Sequence, residues 1–240
     1  MLLIEYDGKN FSGWQRQIGS RTVEEEIEKI ISDLTKENIK LIGSGRTDAK
    51  VHALGQVANF KTRSKIPPSQ FRYILNNRLP GDITIKESKE VAKDFHSRFS
   101  AKAKKYKYII YNNKIPSAIY RNFTYHIIRD IDIDKMKDAS KVFIGTHDFA
   151  SFKGRKSIVK DTIRTIYKIE INKNKDLIEI TIIGKSFLRY MIRIIIGTLL
   201  EVGYGNLTRE DVRQIIDSKN RKNAKKTADP QGLYLMKVYY

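Results

Sequence analysis

The residues best placed to do chemistry lie in one short segment, Gly43-Ser-Gly-Arg-Thr-Asp-Ala-Lys-Val-His-Ala-Leu-Gly-Gln56. It falls between two strand-like stretches and reads as a loop, where functional side chains concentrate. Arg46 and Asp48 set a cation near a carboxylate in a glycine-flanked turn. A neighbouring guanidinium favours the ionised carboxylate, the form that acts as nucleophile or base. The same residues are also compatible with a turn tied by the Asp48 side chain and nothing more. A dinucleotide-binding fingerprint is excluded: Asp48 stands where its third glycine belongs, and a strand pattern rather than a helix follows Gly55. The chain has no cysteine, which removes thiol nucleophiles, disulfides, thiolate zinc sites and iron–sulfur clusters. Its four histidines, His52, His96, His126 and His147, are scattered without metal-ligand spacing.

The elements that must position this loop read as one unit used twice. Residues 1–9 form a strand and a turn at Asp7-Gly8. Thr22 and Glu25 fit a capping box before a helix that carries Val23, Ile27, Ile30, Ile31 and Leu34 on one face. Ile39–Ile42 and Gly55–Phe60 read as strands on either side of the loop. A helix opened by Pro67-Pro68-Ser69 and stopped at Pro80-Gly81 follows, then a strand at Ile83–Ile85. The second half repeats the order: a strand at Tyr106–Tyr111, a helix near Lys135–Ile144, and a hairpin of Thr165–Ile171 with Leu177–Ile183. An apolar helix from about Phe187 to Val202 comes next, then an extra helix capped by Thr208, and a closing strand at Leu233–Tyr239. The expected fold is α+β: two ferredoxin-like β-α-β-β-α-β halves whose mainly antiparallel sheets join, with an active-site cleft between them. The expected division is 1–101, carrying the loop, and 102–240, completing the site.

Composition constrains the partner. Across 240 residues, 46 Lys and Arg stand against 27 Asp and Glu, a formal charge of +19. That excess points to a polyanion, most often a nucleic acid. A bias toward Lys, Ile and Asn would also raise Glu, and the acids have not kept pace. No apolar run approaches the roughly 20 residues of a membrane span. No basic segment leads into a long apolar one at the N-terminus, so a cytoplasmic protein is expected.

Six short motifs then fall into register. They are Tyr6-Asp7-Gly8 with Phe11–Gln17, Gly45–Ala49 with Val51–Ala53 and Gly55-Gln56, and Phe99–Ala101 leading to Lys105–Asn112. Phe149–Phe152, Phe187–Arg193 and Pro230–Met236 complete them. Together they resemble the TruA-type tRNA pseudouridine synthases over about 230 residues, in the arrangement of the pseudouridine synthase fold. The resemblance implies an isomerase that converts uridine to pseudouridine at positions 38, 39 and 40 of the tRNA anticodon arm. It breaks the bond from ribose C1′ to uracil N1 and rejoins the base through C5, with no metal and no organic cofactor. It also implies a homodimer with tRNA as partner.

By the same resemblance Asp48 is the catalytic aspartate, acting on the uracil ring, on the ribose or as a base. Arg46 holds and charges it, and Arg193 supports it. Tyr106 stacks on the target base, and Leu235 lies against the uracil. Arg16, Lys153, Arg155 and Lys156 are the preferred phosphate contacts. Two positions depart from the pattern: Lys50 replaces a usual glycine, and Asp229 stands where an apolar residue or proline is common. A lysine at position 50 implies a backbone with no need of positive φ. Both departures bear on substrate detail, such as a paralogue with shifted site preference. Two other readings share the scaffold: a catalytically silent tRNA-binding protein, and the same chemistry on another RNA.

Overall fold

Alternation begins at once: Leu2, Ile4 and Tyr6 are buried while Leu3 and Glu5 are half-buried, so β1 (Leu2–Tyr6) turns one face to a core. The computed structural model to which this strand belongs describes residues 1–155 and 159–240. It comprises two compact units, residues 1–102 with 234–240, and residues 103–233.

In the first unit, α1 (Val23–Thr35) buries Val23, Ile27 and Ile31, one stripe of a 3.6-residue repeat. Thr22 holds the N-cap backbone position, but the expected capping box does not form. Its hydroxyl is buried without a hydrogen-bond partner among the described residues, and Glu25 instead pairs with Arg16 at 3.3 Å. The acidic first turn, Glu24 to Glu26, still complements the helix dipole. The expected strand at Ile39–Ile42 shrinks to β2 (Ile42–Gly43). The Ile39 and Leu41 amides donate instead to Ser32 Oγ at 3.2 Å and Glu28 Oε1 at 2.7 Å on α1. β3 (His52–Asn59), the short α2 (Phe71–Asn76) and β4 (Ile83–Ser88) complete the β-α-β-β-α-β order. β1 pairs antiparallel with both β3 and β4, and β2 pairs antiparallel with the far end of β3. That is the arrangement the sequence pattern predicts.

The second unit opens with β5 (Ala103–Asn112), followed by β6 (Tyr125–Ile127), α3 (Ile133–Ser140) and β7 (Gly145–Asp148). β8 (Ile163–Asn174) and β9 (Leu177–Gly184) form its hairpin. β5 pairs with β9, β9 with β8 and β8 with β7, all antiparallel, while β6 joins β5 in parallel. The hairpin is tighter than expected. Pairing continues to Asn174 opposite Leu177, and Lys175 takes a left-handed conformation in the two-residue turn. α4 (Met191–Gly203) starts four residues later than its apolar pattern suggests, because Tyr190 is left-handed at φ 64° and breaks the helical run. α5 (Arg209–Asp217) carries the capping box expected at Thr208, with Asp211 as its reciprocal partner.

The closing strand, β10 (Leu233–Tyr239), departs from the expected division. Residues 234–240 belong with the first unit, where Tyr234 and Leu235 pair in parallel with His52 and Ala53 of β3. No helix among the described residues is long and apolar enough to cross a membrane.

Candidate active site

The loop between β2 and β3 is clamped at four places, all within the first unit. Its rising arm is fixed by a buried amide: Ser44 donates through N to the Val57 carbonyl at 2.7 Å and through Oγ to Gln56 Oε1 at 2.7 Å. Gln56 Nε2 donates in turn to the Gly45 carbonyl at 2.9 Å. Ser44 and Gln56 are fully buried, and Gln56 Oε1 also accepts the Val57 amide at 3.1 Å. Thr47 is the second anchor, its hydroxyl bonded to that of Tyr6 at 2.8 Å. Burial pushes the Tyr6 phenol above its ordinary pKa and keeps it neutral.

The third clamp is Trp14, fully buried, whose amide donates to the Thr47 carbonyl at 3.2 Å. Its ring lies directly beneath Gly43, where a Cβ would come within 2.5 Å of Nε1, and that Nε1 donates to Glu24 at 3.2 Å. The fourth clamp holds the descending arm. The Lys50 amide donates to the Phe11 carbonyl at 3.1 Å, and the Gly8 amide donates to His52 Nδ1 at 3.1 Å. The His52 ring is buried and stacks on Tyr234 at 4.8 Å.

What the clamps present is Asp48, half-buried, at the turn. Arg46, by contrast, is exposed, and its side chain makes no ion pair or hydrogen bond among the described residues. The expected Arg46–Asp48 pair therefore does not form. Thr47, drawn inward between them by Tyr6, leaves Arg46 facing solvent. A cation in that position is free to meet an anion brought by a substrate.

Position 50 also corrects an expectation. Lys50 has φ 63°, squarely left-handed, so the backbone here does favour glycine. A left-handed non-glycine residue costs about 1–2 kcal/mol, and glycine's extra unfolded-state freedom returns roughly half of that. Lys50→Gly is expected to stabilise the chain by about 0.5–1 kcal/mol. The urea midpoint should rise with an unchanged slope; a lower midpoint would contradict the backbone argument.

The other expected site residues are placed as follows. Leu235 is fully buried on β10, in register with Ala53, five residues beyond Asp48. Arg16 is exposed and shared between Glu25 at 3.3 Å and Glu28 at 3.8 Å, so its charge is already partly matched. In the second unit Tyr106 is buried on β5 with its ring edge-on to Phe187 at 5.3 Å. Arg193 is the one residue of α4 between Met191 and Leu200 that is not fully buried. Its Nε donates to the Ala228 carbonyl at 2.7 Å and its guanidinium lies 5.3 Å from the Tyr190 ring. Arg155 is exposed and Lys153 donates to the Val159 carbonyl at 3.1 Å; Lys156 lies outside the described residues. Asp229 serves through its backbone, accepting the Tyr108 hydroxyl at 2.6 Å.

Sequence reasoning passed over the clamp residues Tyr6, Trp14, His52 and Gln56 as functional positions, although all four stood inside quoted motifs. Trp14 and Gln56 each follow a glycine, whereas Tyr6 and His52 stand at strand ends with no local mark, and only the fold turns the four into contacts.

With this geometry in hand, comparison places the chain among known proteins. A family model described as tRNA pseudouridine synthase matches residues 2–100 and 139–240. A protein of Acetivibrio thermocellus named tRNA pseudouridine synthase A is 49% identical over 239 residues, covering 100% of this chain and 98% of that one. A namesake in Thermoanaerobacter sp. is 49% identical over 240 residues with the same coverage. A protein of Clostridium tetani named tRNA pseudouridine synthase A 2 is 49% identical over 241 residues, covering 100% of this chain and 97% of its own.

Proposed function

We propose a reaction for this chain as a member of the tRNA pseudouridine synthase family, to which it belongs: it isomerises uridine to pseudouridine in the anticodon arm of tRNA, at positions 38, 39 and 40. The observation that carries the reading is the clamped loop, which spends four buried anchors on presenting one carboxylate, Asp48. Such pre-organisation is what an intramolecular rearrangement needs from its protein.

The reaction balances without an outside reagent. The C1′–N1 bond breaks, the base turns within the site, and a C1′–C5 bond forms. C5 gives up its proton and N1 gains one. Asp48, ionised, acts on the ribose, on the uracil ring or as the base. Tyr106 supplies an aromatic face for the target base, which must leave the stack before its glycosidic bond is reached. Arg193 supports the carboxylate, and Leu235 closes the apolar side of the base pocket. Arg46, facing solvent beside the loop, meets the RNA. Lys153 and Arg155 take phosphate, and Arg16 does so by exchanging its surface carboxylates, whose hold is about 1 kcal/mol or less. The working unit is a homodimer in the cytoplasm, one anticodon arm being held by two copies.

The test is to incubate the purified chain with whole tRNA and map pseudouridine by nucleotide. Modification at 38–40 supports the reading; modification elsewhere or none overturns it. Binding should be strongly salt-dependent. With six or so phosphate contacts, tRNA affinity is expected to fall about a thousandfold between roughly 50 and 200 mM salt. A slope near zero in a log–log plot would remove the electrostatic account.

A further inference from the structure

We propose that the exposed ring of Phe99, edged by His96 and Arg98, is a stacking platform for an unpaired base of the tRNA other than the nucleotide being isomerised. The inference rests on the tRNA reading above and adds a site to it.

The turn that carries Phe99 is anchored from beneath. Ser97 is fully buried, and its hydroxyl bonds both the Ile42 carbonyl and Asn59 Oδ1. Its amide donates to the same Asn59 oxygen at 2.8 Å, and its carbonyl accepts the Tyr240 hydroxyl at 2.8 Å. The chain is caught again where Lys102 N donates to the Tyr239 carbonyl at 2.8 Å, and Phe95 packs on Tyr240 at 4.9 Å. Above this anchor His96 Nδ1 accepts the Arg98 and Phe99 amides, both at 3.2 Å, which fixes the imidazole against the backbone. The polar groups of Ser97 are thus directed inward, and His96 Nδ1 is turned across the turn.

Phe99 is directed outward. Its side chain is 76% exposed, although it is among the largest apolar groups of the chain. It is not isolated: the His96 ring centre lies 4.3 Å away and the Arg98 guanidinium 5.6 Å from the ring centroid. A rigid aromatic face with a cation at its edge suits a nucleotide, whose base stacks while its phosphate meets the charge. Local charge agrees, since Lys93, Arg98 and Lys102 face a single acid, Asp94, between residues 93 and 102. A purely apolar protein surface would leave those cations unmatched.

The experiment compares Phe99→Ala, Phe99→Leu and Phe99→Trp with the parent chain, using whole tRNA as probe. Binding, KM, kcat, thermal midpoint and sedimentation are measured for each. Loss of one stacked base is expected to raise Kd and KM about tenfold in both Phe99→Ala and Phe99→Leu. The kcat at saturating tRNA and the thermal midpoint should stay unchanged, and Phe99→Trp should bind within about twofold of the parent. Equal binding by Phe99→Leu and the parent would overturn the proposal in favour of a merely apolar contact. A change of sedimentation with unchanged tRNA affinity would overturn it in favour of a protein interface. If the parent chain itself makes no pseudouridine, the functional reading fails first, and that outcome is distinct from either.

Discussion

Asp48→Asn is expected to lower pseudouridine formation on tRNA by about 10⁴-fold or more, equivalent to roughly 5.5 kcal/mol of transition-state stabilisation. The substitution is nearly isosteric and removes the charge on which each of the three roles for this carboxylate depends. The loop should survive it, because its anchors are the side chains of Ser44, Thr47 and Gln56 and the main chain at Trp14 and Lys50, none of which passes through the Asp48 carboxylate. Even the main-chain bond at the turn, Val51 N to the Asp48 carbonyl at 3.2 Å, is indifferent to the side chain. Affinity for tRNA should therefore stay within about threefold of the parent, since the phosphate contacts proposed are all to Lys and Arg and none is to this carboxylate. The pairing of those two results separates an enzyme from a silent RNA-binding protein on the same scaffold. More than about a tenth of parental activity in Asp48→Asn would remove the residue from catalysis. Loss of binding and activity together would reassign it to structure.

Much of this was legible in the sequence, for identifiable reasons. Period-2 alternation at Leu2, Ile4 and Tyr6 and the helical stripe of Val23, Ile27 and Ile31 each reflect a single core face, and such faces are written directly in residue order. The β-α-β-β-α-β order of the first unit followed from them. Asp48 was legible because its loop is dense in glycine and charge between two apolar strands. Features set by partners distant in sequence were not. β6 and β7 are three and four residues long and carry no alternation of their own. The Thr22 capping box was a sound local inference undone by Arg16, which draws Glu25 away. Lys50 is the sharpest instance. From residue type it argued for ordinary φ, whereas hydrogen bonds to Phe11 and across the Asp48 turn hold it left-handed. Arg46 stands apart from Asp48 for a similar reason, because Tyr6, forty-one residues earlier, turns Thr47 inward between them.

Gly8→Ala is expected to damage both stability and activity, and it tests the clamp from the opposite side to Asp48. A Cβ at position 8 would lie 2.1 Å from the Val51 carbonyl oxygen, 2.5 Å from its carbon and 2.9 Å from its nitrogen. All three atoms are main chain, three residues beyond Asp48, so no side-chain rotation relieves the clash. Either the Tyr6-Asp7-Gly8 turn or the descending arm of the loop must move by more than 1 Å to restore ordinary contact distances. Overpacking of this kind costs about 3 kcal/mol, and in a chain of this length the thermal midpoint should fall by about 6–12 °C. Movement of the arm also stretches the bond from Gly8 N to His52 Nδ1 and displaces the turn that aims the carboxylate. A misplacement of about 1 Å is enough to lower kcat roughly a hundredfold. The informative measurement is kcat on whole tRNA well below the variant's midpoint, where every molecule is folded. A hundredfold fall there, with KM little changed, shows that Gly8 acts on catalysis through the position of Asp48. A parental kcat in the folded variant would show that the loop tolerates the shift, and that the clamp serves stability alone.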